Sequence, residues 1–343
     1  MGIRIFKRIK IAPGLTLNMS KSGPSFSFGP RGLKYTVGPR GTRKTFGVPG
    51  TGLYYTTASG WGKKQGSSSP TPSSMAPPSS LDLGFFRNIA TPPAERELVA
   101  GLKLYLSGMT DDAFSTFRGG AGLVDSVFMF GFLALGKDLF TEAEAAFFRC
   151  RGAVPELGKA IHKYIQGFQL SLQVTDYIDA PIDVDERGLA LAMAEAYQKQ
   201  GKYGEAIREV SALWNSNPSD MVVCLSLCDL IVANPSTNKP DLDDIVRMTA
   251  SVENDEPIHA NILYLRGAAM FRMQMADAAI QQLTAALRRK ANRPEALLRQ
   301  IRYLRGRSYE QQGQLARAKK DYELVYAEEP AFKDVGKRIG QLP

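Results

Sequence analysis

The chain is 343 residues long, 44% hydrophobic and 22% charged, which leaves room for two domains of ordinary water-soluble composition. Its formal charge of +9 comes from 43 Lys and Arg against 34 Asp and Glu, and it is lopsided: residues 1–64 hold twelve of the basic residues, and no acidic residue precedes Asp82. The remainder carries 31 basic against 34 acidic residues, so the positive charge belongs wholly to the N-terminal part. Such asymmetry points to an anionic partner there, either nucleic acid or anionic lipid headgroups. The plainer reading is that Lys and Arg guard strand edges against aggregation. No run approaches the ~20 apolar residues of a membrane-spanning helix, and the opening MGIRIFKRIKI is charged too often for a signal peptide. Cys150, Cys224 and Cys228 make no disulfide framework, so a reducing, cytoplasmic setting is expected.

The first element is a nine-residue ruler. The tetrads IAPG (11–14), SKSG (20–23), GPRG (29–32), GPRG (38–41) and GVPG (47–50) all close on glycine: Gly14, Gly23, Gly32, Gly41 and Gly50. Nine residues is one strand plus one turn, and a turn ending in a left-handed residue favours glycine. Between the tetrads, Leu15, Leu17, Met19, Phe26, Phe28, Leu33, Tyr35, Val37, Phe46, Leu53 and Tyr55 alternate with Thr16, Asn18, Ser25, Ser27, Lys34, Thr36, Arg43 and Thr45. Period-two alternation predicts half-buried strands, and residues 1–57 are expected to form a small all-β antiparallel meander of about six strands with one apolar face. Phe6 breaks the alternation of the first strand. An open sheet of this size buries little on its own, so self-association is one expected way to cover that face. The anion-binding candidates are Lys7, Arg8 and Lys10 beside an edge, Lys34, Arg43 and Lys44 in middle strands, and Arg31 and Arg40 at turns on opposite ends. KIAPGLTLNMSKSG followed by GPRG, GPRG and GVPGTGLYY resembles the bacterial family called domain of unknown function 4236. That resemblance implies a bacterial origin and a module placed ahead of a longer protein; it implies no activity.

Residues 58–84, opening ASGWGKKQGSSSPTPSSMAPPSS, read as a flexible Ser/Pro/Gly-rich linker. Beyond it the spacing becomes helical and the period lengthens to the mid-thirties. In AYQKQGKYGEAIREVSALWNSNP (196–218) an apolar stripe meets Gly201 at a turn, then Ala206 and Ile207, then Pro218. Residues 303–330 repeat the plan with Tyr309, Gly313, Ala318, Tyr322 and Pro330, residues 264–287 with Gly267, Ala279, Leu283 and Ala286, and YLRG recurs after 39 residues. These stretches resemble the tetratricopeptide repeat, a helix-turn-helix unit of 34 residues. Residues 94–125 and 124–157 are fainter copies; residues 157–186 and 221–257 are read as degenerate helical pairs, the second with its inter-helix loop stretched by NPSTNKPD (234–241). Phe332, Val335 and Ile339 are spaced as a capping helix. Residues 85–343 are thus expected to form an all-α helical-repeat solenoid.

Little in the chain calls for chemistry, and no metal or cofactor is expected. GPRGTRKT (38–45) lacks the glycine that a phosphate-binding loop places before its lysine, and a strand follows it rather than a helix. His162 and His259 stand alone in helical contexts. Cys224 and Cys228 read as small buried hydrophobes, and Met270, Met273 and Met275 as packing residues. The chain reads as a non-enzyme. In tetratricopeptide proteins the first helix of each pair lines a groove for a protein or peptide partner. Carried over by position, that resemblance implies Glu195, Gln198, Lys199, Asn261, Tyr264, Arg272, Tyr303, Arg307 and Gln311 as groove residues. The leading expectation is a non-catalytic adaptor with a basic β-module. The alternative is a nucleic-acid-associated protein whose β-module grips phosphates.

Overall fold

A computed structural model describes residues 7–12, 15–20, 23–28, 33–38, 41–48 and 53–59 as backbone strands, and residue 81, residues 91–120 and residues 122–343 with their side chains. The strands β1 (Lys7–Ala12), β2 (Leu15–Ser20), β3 (Gly23–Phe28), β4 (Leu33–Gly38), β5 (Gly41–Val48) and β6 (Leu53–Ser59) pair antiparallel in chain order. Leu15 pairs with Phe28, Leu17 with Phe26 and Leu33 with Phe46, so apolar positions meet apolar positions across the ladder. Gly23 and Gly41 open strands, while Gly14, Gly32, Gly50 and Phe6 lie outside the described residues. β6 continues through Ala58 and Ser59, which pair with Arg43 and Thr42, two residues past the boundary drawn from composition. The rest of the linker, residues 60–84 apart from Leu81, lies outside the described residues.

The chain divides into two units, Met1–Leu172 with Pro181–Ala192, and Gln173–Ala180 with Met193–Pro343. The first unit holds α1 (Pro93–Leu106), α2 (Thr110–Gly119), α3 (Val124–Leu135), α4 (Phe140–Cys150), a 3₁₀ turn (Arg151–Glu156) and α5 (Lys159–Tyr164). Then come β7 (Leu170–Thr175), β8 (Ile178–Ile182) and α6 (Glu186–Lys199), each crossing the division. The second unit continues with α7 (Tyr203–Ser216), α8 (Met221–Ala233), α9 (Lys239–Met248), α10 (Pro257–Arg272), α11 (Ala276–Leu287), α12 (Glu295–Gln311), α13 (Leu315–Glu328) and α14 (Val335–Gln341).

One packing device recurs. A Cβ added at Gly101 would lie 2.6 Å from the Phe117 ring, at Gly131 2.8 Å from Phe147, at Gly267 2.8 Å from Leu283, and at Gly306 2.6 Å from Tyr322. Each large side chain comes sixteen residues after its glycine, so the second helix of each pair presses a bulky residue onto bare backbone of the first. In the pair of α6 and α7 the same offset gives Ala194 and Val210, both buried, a larger small residue set against a smaller large one. Twelve residues past each of these five small positions lies a fully buried alanine: Ala113, Ala143, Ala206, Ala279 and Ala318. Seven residues past lies a turn residue with positive φ: Gly108 (78°), Asp138 (59°), Gly201 (73°), Gln274 (63°) and Gly313 (72°). Small against large, alanine against backbone and a left-handed turn together make a helical-repeat solenoid resembling tetratricopeptide proteins.

Residues 157–186 depart from the helical expectation. Only α5 is helical there, and β7 and β8 form a two-stranded sheet joined at Asp176 and Tyr177. In β7 every residue but Gln173 is buried, and in β8 Ile178, Ala180 and Ile182 are buried at every second position. That is the strand period, and the β-branched Val174, Thr175, Ile178 and Ile182 suit it. The pair α8–α9 is helical, joined by the loop Asn234–Asn238, and Asn238 and Asp241 close α9's N-terminus with reciprocal side-chain bonds of 3.1 and 3.0 Å. At the C-terminal end Val335 of α14 is buried with Tyr303, Tyr322 and Val325, and Phe332, Ile339 and Leu342 pack around them.

Candidate functional site

The most developed polar site lies in the second unit, where α6, α8, α10 and α12, the first helices of successive pairs, meet the tip of the β7–β8 hairpin. Glu195 and Lys199, one turn apart on α6, form an ion pair of 3.2 Å. Gln198, on the same helix, donates its amide to Asp229 Oδ2 on α8 at 3.1 Å. On α10, Asn261 is 1% exposed and donates to Thr175 Oγ1 of the hairpin at 2.7 Å, while its Oδ1 has no hydrogen-bond partner. Tyr264, one turn further, accepts from Gln300 Nε2 of α12 at 2.8 Å and meets the Tyr177 ring edge to face, centroids 6.4 Å apart. The hairpin is stiffened at its tip by Thr175 Oγ1, which accepts from the backbone N–H of Tyr177 and Ile178, each at 3.2 Å.

Charge in this site is unbalanced. Asp176 acts electrostatically on Glu195 and Asp229, and Lys199 is the ammonium among them. Burial raises the Asp229 carboxyl to about 6; the Gln198 bond and Lys199 pull it down, and Asp176 pushes it up. Burial likewise raises Glu195 despite Lys199, with Asp229 and Asp176 adding to the rise. For Lys199 burial disfavours the charged form, but Glu195, Asp176 and Asp229 outweigh it and its pKa is raised. Among the described residues no group of three His, Cys, Asp or Glu could hold a metal, and no helix is long and apolar enough to cross a membrane. The arrangement is suited to gripping polar and charged groups of a partner.

Residues 3–56 match the family described as "Protein of unknown function (DUF4236)". No curated protein matches the chain. Among solved structures, the chain is similar to TTC0263, a thermophilic TPR protein of Thermus thermophilus, at 17% identity over 64% of this chain and 97% of that one, with a TM-score of 0.39. It is also similar to Acl4, an assembly chaperone of RpL4, at 9% identity over 73% and 95% with a TM-score of 0.44. The TPR2AB-domain:pHSP90 complex of yeast Sti1 matches at 14% identity over 72% and 82%, with a TM-score of 0.27.

The groove residues named from sequence separate into three groups. Glu195, Gln198, Lys199, Asn261 and Tyr264 come together in the site just described. Arg272, Arg307 and Gln311 lie further along: Arg272 is exposed and donates to the Val232 carbonyl at 2.9 Å, Arg307 stacks over the Phe271 ring at 5.7 Å, and Gln311 donates to Gln274. Tyr303 is 6% exposed within the C-terminal core and donates to Asp334, so its position is structural. Thr175, Asp176, Tyr177, Asp229 and Gln300 belong to the site without having been named. Gln300 was within reach, because it follows Asn261 by the 39 residues that separate the two YLRG stretches. Asp229 sits in a degenerate pair, and the hairpin residues in a segment read as helical.

Among the other residues singled out, His259 accepts the Glu256 N–H at 3.3 Å at the start of α10. Cys224 and Cys228 are buried, and the Cys228 thiol is pushed up by its bond with Cys224 and by burial. Met270 is in the core, Met273 packs against it and Met275 is 48% exposed. For the anion candidates the structure describes register alone. Arg8, Lys10, Lys34 and Arg43 pair with Asn18, Thr16, Thr45 and Thr36, whereas Lys7 and Lys44 pair with Met19 and Tyr35. Arg31 and Arg40 lie outside the described residues.

Proposed function

We propose that this chain is a non-catalytic bacterial adaptor. Its helical repeats bind a protein segment along the first-helix face of the second unit, and residues 1–57 form a basic β-module for an anionic surface. The observation that carries the first half is the row of Lys199, Asp229, Tyr264 and Gln300, one polar or aromatic side chain from each of four successive first helices converging on one site. Helices held at fixed spacing give such a row a rigid frame, so little ordering entropy is lost when a partner is gripped. Arg272 and Arg307, with Phe271, extend the row with side chains of the kind that dominate interface energetics.

The test is affinity capture with cross-linking on the full chain, comparing it with a Lys199→Ala, Arg272→Glu, Arg307→Glu variant of unchanged circular dichroism. The expected result is loss of the cross-links that map to α6, α10 and α12. An identical partner set and cross-link map in the variant overturns the reading. The second half rests on the charge asymmetry and on the register that pairs Lys34 with Thr45 and Thr36 with Arg43 in adjacent central strands. Titration of the full chain with duplex DNA, RNA and anionic vesicles should show binding at low salt. If about five basic residues meet duplex phosphates, the slope of log affinity against log salt is near −4.5. Lys34→Glu with Arg43→Glu should abolish it. Failure to bind any of the three leaves edge protection as the role of the charge.

A further inference from the structure

Tyr303, a groove residue by its position on α12, is overlaid by a lysine from the loop that precedes α14. The Lys333 Nζ lies 5.0 Å from the centroid of the Tyr303 ring and 5.5 Å from that of Phe332. Arg307 follows Tyr303 by one turn of the same helix, and its guanidinium lies 5.7 Å from the Phe271 ring of α10. Each cation is thus seated on an aromatic face, which holds it in place and leaves its N–H donors free to meet an anion. Lys333 is exposed and has φ of 47°, a left-handed backbone uncommon for a residue with a side chain, although it belongs to none of the five repeat turns.

The carboxylates around these cations are bound elsewhere. Glu310 accepts from Arg338 at 2.7 Å and from Tyr322 at 2.5 Å, and approaches Arg307 only to 3.9 Å. Asp334 accepts from Tyr303, and Arg338 meets its Oδ1 at 3.0 Å and its Oδ2 at 2.9 Å. Glu329 pairs with Arg299 at 3.0 Å. Arg299, Arg307, Lys333 and Arg338 therefore share three carboxylates, and none of the three forms an ion pair with Lys333. Burial lowers the Lys333 pKa, Asp334 works against that, and Arg307 adds to it as a like charge nearby.

We propose that Lys333 and Arg307 form an anion seat at the C-terminal end of the first-helix face, and that it takes an acidic side chain of the bound protein segment. The rings of Tyr303, Phe332 and Phe271 fix the two cations before the guest arrives, so a carboxylate entering between them meets charge that is already ordered. The left-handed backbone at Lys333 is the cost of placing its ammonium over Tyr303. The seat deepens the partner site proposed above and rests on that reading for its guest being a protein segment, whereas the affinity for a carboxylate belongs to the free chain.

Carbodiimide coupling of the full chain to hexaglutamate, blocked at both ends so that only side-chain carboxylates react, tests it. The reagent joins a carboxylate to an amine held against it, and mass spectrometry reads the coupling lysine by lysine. Lys320 and Lys337, exposed in the same unit, are the references, and acetylation by a neutral reagent corrects for the reactivity of each amine. Coupling at Lys333 should exceed the references on the order of tenfold, the factor that one charge-assisted hydrogen bond is worth. Arg307→Gln, at a half-buried position and with unchanged circular dichroism, should remove most of that excess, and so should raising the salt. Equal coupling at the three lysines in the wild type, or an undiminished excess in Arg307→Gln, overturns the seat. A single-stranded oligonucleotide of equal charge that displaces hexaglutamate from Lys333 more readily than free hexaglutamate does would overturn the assignment to an acidic protein segment. Hexaglutamate stands in for the partner throughout, so a failure here and a failure of the cross-linking experiment are told apart.

Discussion

Two aspartates, Asp125 in the first unit and the half-buried Asp229 in the second, show how differently the same residue is used. In the first unit Asp125 is fully buried near the start of α3, and its carboxylate is enclosed by backbone donors: Oδ1 accepts from Gly158 N at 2.7 Å and Oδ2 from Ile161 N at 2.8 Å. It thereby ties α3 to the N-terminus of α5, where Gly158 takes φ of 78° and a Cβ would lie 2.3 Å from the Val184 carbonyl. Burial raises the Asp125 carboxyl, and the N–H groups of Ile161, Gly158 and Ala160 work against that rise. In the second unit Asp229 accepts one side-chain amide, from Gln198, while Asp176 raises its carboxyl and Lys199 lowers it. The first is a structural fastener, whose charge meets preformed donors. The second meets one side-chain donor and an ammonium of a neighbouring helix, with no backbone donor among its hydrogen bonds.

The sharpest way to break this contrast is Asp125→Ala. It strands the Gly158 and Ile161 N–H groups and leaves a hole, and it should lower stability by about 3–5 kcal/mol, read by urea or thermal unfolding. A loss below about 1 kcal/mol would mean that the backbone donors find other acceptors and the fastener is dispensable.

Next comes the packing that both units share. Gly306→Ala drives a methyl group to within 2.6 Å of the Tyr322 ring. It should cost about 1–3 kcal/mol, while alanine at Gly340, inside α14 with open space around it, should cost nothing and gain up to about 1 kcal/mol from helix propensity.

Asp229→Asn should act in the opposite direction. A carboxyl whose pKa is raised on folding contributes stability below its unfolded value and loses it as pH rises through the folded value, here about 6. The wild type should therefore lose stability between roughly pH 4 and 6 relative to the variant, and the variant should be more stable by roughly 1–3 kcal/mol at neutral pH. Parallel pH profiles for the two proteins would mean that folding does not raise the Asp229 carboxyl.

The smallest effect expected is at the repeat turns. Gln274 sits at φ 63° where three of its four counterparts are glycine. Gln274→Gly should gain about 0.5–1 kcal/mol, the relief of a left-handed side chain less the added freedom of the unfolded chain, and Gly313→Ala should lose about as much. Thermal unfolding of the two variants beside the wild type reads both, and a shift of the same sign in the two would break the equivalence of the turns.

The repeat architecture was legible because its determinants are local and recur. Gly267, Ala279 and Leu283 stand at the same offsets as Gly306, Ala318 and Tyr322, and each offset names a contact between two adjacent helices. The pair of α6 and α7 was legible for the same reason, even with Ala194 in place of glycine. Residues 170–182 were not, because a lone hairpin has no second copy to compare, and its Leu170, Leu172 and Val174 alternation was lost among helical neighbours. Five of the groove candidates, Glu195, Gln198, Lys199, Asn261 and Tyr264, fell on helices carrying the repeat pattern, and the structure brings them together.

What the sequence determined by itself is therefore what a few neighbouring residues decide: a nine-residue strand period and a basic N-terminal part, and helix pairs with small residues, turns and stops at fixed spacing. Only the tertiary structure decided that Asp176 and Tyr177 reach the face made by α6, α8, α10 and α12, that the half-buried Asp229 lies near Glu195 with one ammonium beside them, and that Tyr303 turns into the C-terminal core. Those outcomes depend on contacts between residues far apart in the chain, such as Asn261 with Thr175, 86 positions away, and Gln300 with Tyr264, 36 positions away. Charge compensation and burial are properties of such contacts, set by which surfaces meet once the helices have stacked, and no spacing rule along the chain encodes them.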